Sequence, residues 1–242
     1  MTSDDLDVPR GPARAAAARD LFGRIAPRYD LANRILSFGV DVWWRRSVSR
    51  ELAAEPGLRI LDLCTGTGDL AQALHRASDG RSSVVGADFC LPMLQGARAK
   101  HLATGQPPML AAADGLALPF RDASFDLVTA SFGVRSFADL DAGLREMARV
   151  TRPGGRVAIL EFSLPAPGAL RGLYLFYFRR VLPWVGDLVS GSPGTYAYLP
   201  GTVLDFPDQP GLARRMADCG LADVCWRNLT FGVAALHVGV RR

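Results

Sequence analysis

The residues best suited to chemistry lie together in the run Leu61-Asp-Leu-Cys-Thr-Gly-Thr-Gly-Asp-Leu70. Gly66 and Gly68 let the backbone turn tightly and let a ligand approach where a Cβ would stand in the way. Asp62 precedes the glycines, Asp69 follows them, and Thr65 and Thr67 bring hydroxyls into the same loop. Asp88 and Asp114 each close a short apolar run, and Gly115 follows the second. Further on, Ser131-Phe-Gly-Val-Arg135 sets a permanent cation just past another apolar run. Tyr29, Asp30, Glu161 and His237 are the candidate bases.

Two ligand chemistries compete for the glycine loop. Gly66-x-Gly68-x-x-Ala71, with Asp88 downstream, fits a dinucleotide fingerprint. A pyrophosphate needs a site free of carboxylates, and this loop has Asp62 on one side and Asp69 on the other. Charge favours S-adenosyl-L-methionine, which carries an ammonium and a sulfonium but no phosphate. On that reading Asp62 holds the turn or the ammonium, and Asp88 accepts both ribose hydroxyls. Asp114, beside Gly115, accepts from the adenine amino group, and Thr67 offers a hydroxyl inside the loop. Met93 lies on the adenine face or in plain core. A structural tight turn with Asp69 capping a helix is the bland alternative; three acidic groups around one glycine loop weigh against it.

The elements that must position these groups follow from periodicity. Residues 1–12 read as a disordered tail, and 13–55 as a helical cap punctuated by Pro27 and Gly39. Short apolar strands are expected at 59–63, 84–87, 109–113, 125–131 and 156–162. Helices follow near 69–77, after Pro92, and at 140–150. Gly154-Gly155 is expected to turn the last of these helices into the last strand with positive φ. Strand–helix alternation predicts an α/β, Rossmann-like, mostly parallel sheet with helices on both faces. An aromatic stretch at 170–183 lies within an expected insertion at 164–207, and one helix and two strands close the chain over 208–242. No linker divides residues 13–242, so one domain is expected, with its cofactor-binding core at 56–163.

Composition narrows the class. Of 242 residues, 49% are hydrophobic, enough to build a core. No apolar run reaches the roughly 18 residues of a bilayer span, and Met1–Arg10 contains three aspartates and no apolar stretch, unlike a secretory leader. Cys64, Cys90, Cys219 and Cys225 form no C-x-x-C pair, and with His75, His101 and His237 they show no metal-ligand spacing. Unpaired thiols suit a reducing, cytoplasmic setting. Net charge is only +4, and the arginines are spread along the chain, which argues against a nucleic-acid partner.

Longer motifs carry a resemblance. Phe22-Gly-Arg-Ile-Ala-Pro-Arg-Tyr-Asp-Leu-Ala-Asn33, Leu36-Ser-Phe-Gly39, Trp44-Arg45, Ser131-Phe-Gly-Val-Arg135, Leu160-Glu-Phe-Ser163, Tyr196-x-Tyr198-Leu199, Phe206-Pro-Asp-Gln209 and Asn228-Leu-Thr-Phe-Gly232 resemble the ubiquinone/menaquinone biosynthesis C-methyltransferases. The resemblance runs from about residue 20 to the C-terminus. It implies the class I S-adenosylmethionine-dependent fold, with a seven-stranded sheet, and methylation of a ring carbon of a polyprenyl quinol, with a demethylmenaquinol favoured. It also implies cofactor positions at Thr67, Asp88, Asp114, Gly115 and Ser131. Ser136 and Leu164 depart from the usual Asn and basic residue of that family.

Arg135 is then expected to stabilise a substrate phenolate, with a plain salt bridge as the competing role. Tyr29 is expected to contact substrate. Leu173, Tyr174, Phe176, Tyr177, Phe178 and Trp184 are candidates for a greasy channel for the tail, and Arg179 and Arg180 for contact with lipid headgroups at the inner face of the membrane. The bland alternative is a buried helix in the cap. A homodimer is left open. A methyltransferase of specialised metabolism and a catalytically idle cofactor-binding subunit are the rivals. Turnover of a short-chain demethylmenaquinol separates the first, and an Asp88→Ala variant the second.

Overall fold

Three helices precede the sheet in the computed structural model, which describes residues 9–53, 55–103, 109–191 and 198–242. They are α1 (Pro12–Ile25), α2 (Tyr29–Leu36) and α3 (Val40–Leu52). Pro12 suits a first turn, where no N–H is needed. Gly39, at φ 76°, makes the left-handed break between α2 and α3.

The alternating segment follows as β1 (Arg59–Leu63), α4 (Asp69–Ala77), β2 (Ser83–Asp88), α5 (Leu91–Ala103), β3 (Met109–Ala112), β4 (Phe125–Ser131), α6 (Leu140–Val150) and β5 (Thr151–Phe162). Then come α7 (Ala169–Phe176), a π turn at Tyr177–Val181, α8 (Leu182–Ser190), α9 (Tyr198–Asp205), α10 (Gln209–Asp218), β6 (Leu221–Leu229) and β7 (Ala234–Arg241). Strand order is β3-β2-β1-β4-β5-β7-β6, parallel except that β7 runs antiparallel to β5 and β6. The class I methyltransferase sheet expected from the sequence is present. Ile60 to Leu63 are all buried, as a central strand covered on both faces requires.

Side chains under α6 and α10 form one core, including Leu144, Met147, Leu212 and Met216. Those under α3 and α4 form a second around Trp44, Leu52, Leu70 and Leu74. A third joins α1 and α2 to the π turn through Leu21, Ile25, Leu36, Phe178 and Leu182.

Two expectations need correction. The turn at 150–156 lies inside a strand: Thr151 pairs with Phe125 and Arg156 with Leu127, so residues 152–155 bulge out of the ladder. Only Gly154 takes positive φ. Gly155 is needed for closeness, since a Cβ there would stand 2.9 Å from the Asp126 carbonyl. Of the expected 1–12 tail, residues 1–8 and likewise Tyr196 lie outside the described residues, and Pro12 already belongs to α1.

Candidate active site

The chain runs from β1 outward to β3, returns to β4 on the other side of β1, and so opens a crevice at the carboxyl ends of these strands. The glycine loop leaves β1 at this point. Gly66 has φ 56° and donates its N–H to Asp88 Oδ2 at 2.8 Å. Thr65 N donates to the Ala87 carbonyl, and Gly68 N to the Thr65 carbonyl. The amides a pyrophosphate would need are therefore spent on protein acceptors, one of them a carboxylate. This disfavours the dinucleotide reading.

Asp62 is fully buried, and its two oxygens accept from Thr65 Oγ1 (2.7 Å) and Thr129 Oγ1 (2.9 Å). Burial pushes its carboxyl up to about 6, partly offset by those hydroxyls. It holds the turn, and the alternative of a ligand ammonium finds no access to it. Thr67 faces away from the crevice. Its hydroxyl donates to Asp30 Oδ1 (2.5 Å) and accepts from Lys100 (3.1 Å), whose ammonium also meets Asp30 and Asp69 at 2.6 Å each. Lys100 thus ties α2 to the glycine loop and α4. Gly68, at φ 81°, has His101 Nε2 2.8 Å from where a Cβ would sit.

A cavity of about 330 Å³ lies beside this loop. Asp88, Phe89, Asp114, Gly115, Gly133 and Ser136 line it, and Ala15, Ala16 and Arg19 of α1 cover it. Asp88 is buried with its oxygens bonded to the Gly66 and Cys90 amides; burial raises its carboxyl, and those amides pull it back. Asp114 is exposed, its Oδ1 accepting from Leu116 N. Phe137 stands 2.7 Å from where a Cβ on Gly115 would lie. Asp88, Asp114 and Gly115 are therefore brought together as expected. Met93 is packed in core and Ser131 ends β4 half-buried, and neither lines the cavity. Phe89 lines the cavity where Met93 does not, with the Arg19 guanidinium 5.2 Å from its ring centre. Its place directly after the Asp88 strand end was the available signal.

The cavity fits S-adenosylmethionine. Ser136 Oγ is buried with no protein partner among the described residues, and two carboxylates face a single arginine. Asp88 and Asp114 are the groups that would hold the ribose and adenine.

A second cavity, about 300 Å³, lies under the cap and is almost wholly apolar. Phe22, Tyr29, Trp44, Phe132, Arg135 and Phe162 line it, with Tyr174, Tyr177 and Phe178 from the expected channel segment. Leu173, Phe176 and Trp184, expected beside them, instead point to solvent, 62–70% exposed. The short segment Phe132–Ser136 is the wall between the two cavities: Phe132 and Arg135 face the apolar one, Gly133 and Ser136 the other. The wall is tightly built. Phe132 and Cys64 both have positive φ (56° and 54°), and a Cβ on Gly133 would fall 2.3 Å from Cys64 Cβ. Non-glycine residues rarely hold this conformation outside sites that require it.

Arg135, 4% exposed, pairs with Glu161 at 2.8 Å, donates to the Phe132 carbonyl, and lies 5.5 Å from the Phe162 ring centre. The salt bridge expected as its competing role is present, and the residue also lines the apolar cavity. Its Nε has no partner among the described residues. Glu161 lies behind it, outside the cavity lining, its carboxyl raised by burial and lowered in part by Arg135. Tyr29 lies in the cavity with its phenol raised by burial, which makes it a donor rather than a base. His237, a candidate base, is instead a core histidine on β7 that lines neither cavity, its Nε2 3.0 Å from the Gln209 carbonyl and its ring stacked on Trp226. Among the described residues no cluster of three or more His, Cys, Asp or Glu could hold a metal ion.

Comparison with known proteins agrees with this architecture. Residues 12–241 match the ubiE/COQ5 methyltransferase family. A demethylmenaquinone methyltransferase of Thermus thermophilus is 51% identical over 221 residues, covering 91% of this chain and 100% of the relative. One from Deinococcus radiodurans is 46% identical, covering 95% and 94%. Among solved structures, an S-adenosylmethionine-dependent methyltransferase of Thermotoga maritima superposes with a TM-score of 0.62 at 15% identity, covering 92% of this chain and 99% of that one. The cyclase SpnF reaches 0.62 at 16%, covering 81% and 79%. A cyclase on this fold is a reminder that such likeness speaks to the fold alone.

Proposed function

The chain belongs to the ubiE/COQ5 methyltransferase family, and from that premise we propose that it methylates a ring carbon of a demethylmenaquinol in menaquinone biosynthesis. The observation that carries the site assignment is the thin wall at Phe132–Ser136, with a donor cavity on one side and an aromatic, apolar cavity on the other.

S-adenosylmethionine, when bound, supplies the electrophilic methyl group. Asp88 and Asp114 would hold and orient it. Phe132, Phe162 and Trp44, an aromatic cluster with ring centres 4.5–6.2 Å apart, grip the flat quinol ring. Arg135 faces the ring hydroxyl and favours its phenolate, so the hydroxyl proton passes to water and the adjacent carbon becomes nucleophilic. Tyr29 donates to a quinol oxygen. Glu161 keeps the guanidinium aimed at the cavity. The reaction then rests on alignment and charge.

The parts divide as cap (13–55), cofactor core (56–163), substrate insertion (164–207) and closing helix and strands (208–242). No helix among the described residues is long and apolar enough to cross a membrane. The prenyl tail leaves through the mouth of the apolar cavity, and peripheral contact with the bilayer occurs there. Phe38 and Phe231 support this: they are 83% and 80% exposed at loop tips beside cavity-lining Ser37 and Thr230.

Methyl transfer from labelled cofactor to a short-chain demethylmenaquinol tests the reading. Product is expected with wild type. Asp88→Asn weakens S-adenosylhomocysteine binding by roughly 10- to 100-fold, as loss of charged hydrogen bonds implies. Absence of product with soluble quinol and intact cofactor binding would overturn it.

A further inference from the structure

A third cavity, about 330 Å³, lies on the far side of Arg45 from the quinol cavity, and Arg45 lines both. Its walls come from α2, α3 and α4, and they carry Arg34, Arg46, Arg50 and Arg76 besides Arg45. The lone carboxylate in the lining, Asp69, is already held by Lys100, and Arg45 is held by Asp41 at 2.6 Å. The guanidiniums of Arg46, Arg50 and Arg76 make no hydrogen bond or ion pair among the described residues, and Arg34 reaches Asp69 only at 3.9 Å. Four cations around a concave surface repel one another unless an anion joins them.

Helical spacing sets apolar side chains beside these cations. Trp43, Arg46 and Arg50 share a face of α3, and Leu31, Arg34 and Ile35 share a face of α2. Leu31, Ile35 and Trp43 are each between 43% and 55% exposed. The loop joining α2 to α3 carries Phe38 at the mouth of the quinol cavity. Exposed apolar groups interleaved with unpaired arginines, continuous with the mouth that releases a lipid tail, match an interfacial surface.

We propose that this arginine cleft is a headgroup site: it takes the phosphate of an anionic phospholipid, and so docks the cap against the bilayer with the quinol mouth facing the lipid. The proposal rests on the quinol assignment, since that substrate lies in the membrane. Its chemistry is charge pairing between guanidinium and phosphodiester, with Arg46, Arg50 and Arg76 giving most of the attraction.

The test is flotation with phosphatidylcholine vesicles, with and without phosphatidylglycerol, for the full chain, an Arg46→Gln/Arg50→Gln/Arg76→Gln variant, and a control with Arg98, Arg121 and Arg214 changed to Gln. The control removes equal charge at exposed sites elsewhere. Each arginine at an anionic surface contributes roughly fivefold, so the cleft variant should lose about a hundredfold in partition to phosphatidylglycerol vesicles, with neutral vesicles unaffected. The control should lose far less, and lysine at the three cleft positions should restore most binding. The cleft variant should also methylate soluble short-chain quinol at the wild-type rate and vesicle-borne quinol more slowly. Equal losses in cleft variant and control would reduce the effect to net charge and overturn the site. Equal binding by wild type and cleft variant would overturn it too, as would uptake of inorganic phosphate by the cleft with no flotation that depends on phosphatidylglycerol. Failure of wild type on soluble quinol, with lipid selectivity intact, would strike the reaction assignment and leave the headgroup site standing.

Discussion

Consider replacing Glu161 by Gln. Arg135 and Glu161 are 4% and 2% exposed and 2.8 Å apart, so neither charge has water to fall back on. After the change the guanidinium keeps the Phe132 carbonyl, the face of Phe162 and a neutral amide oxygen, but has lost its counter-charge. Removing one partner of a buried pair costs about 3–5 kcal/mol. For a chain of this size each kcal/mol lowers Tm by about 2–4 °C, so a fall of roughly 10 °C follows. Exchanging both partners for apolar groups, Arg135→Met with Glu161→Leu, leaves no orphan charge, and stability returns to within about 1–2 kcal/mol of wild type. Activity does not return. Without the cation the quinol oxygen stays protonated, and turnover falls by about a hundredfold or more. Thermal unfolding followed by circular dichroism, with labelled methyl transfer on the same samples, reads both. A Glu161→Gln protein that melts like wild type, or a double variant that still methylates, would refute the roles assigned to this pair.

Three further outcomes are expected. Asp62 titrates near 6 in the fold against an ordinary 3.8, so the native state binds the extra proton between those values. Wild type therefore loses stability as pH rises through that window and Asp62→Asn lacks this loss, so the variant gains about 3 kcal/mol relative to wild type between pH 4 and 7 in denaturant titrations. Gly133→Ala pushes a methyl into Cys64, costing about 1–3 kcal/mol and most cofactor affinity; adding Cys64→Gly, which also relieves φ 54°, should restore both in calorimetry. Lys100→Met leaves Asp30 and Asp69 facing each other without their cation, and hydrogen exchange in α2 should quicken well before that in β1 or β4.

The sequence made the framework plain where one physical signal ruled. Strands β1 and β4 and helices α4 and α6 lie where expected, because fully buried central strands and strongly amphipathic helices leave little choice of period. Residues 151–155 read as a turn because a bulged strand uses the same Gly-Gly chemistry. At the site, Asp88, Asp114, Gly115 and Arg135 could be picked out because strand ends in this topology converge on one crevice. Asp62 and Thr67 were less legible: whether a polar group meets ligand or protein depends on partners from β4, α2 and α5, remote in the chain. The same holds for His237, whose partner comes from α10. The quinol cavity itself had no local mark beyond its aromatics, since α1, α2, the π turn and the β6–β7 turn build it together.

That last feature bears on how the protein is made. Leu21, Ile25, Ala32 and Leu36 emerge first during synthesis, yet their packing partners Phe178, Leu182 and Val203 lie near the other end of the chain. Contacts of such long sequence separation are slow to form. The nascent cap therefore leaves the ribosome with a bare greasy flank that stays in need of shelter until almost the whole polypeptide has been translated. Termination between β5 and α9 leaves every residue that lines the donor pocket already translated and the acceptor enclosure incomplete.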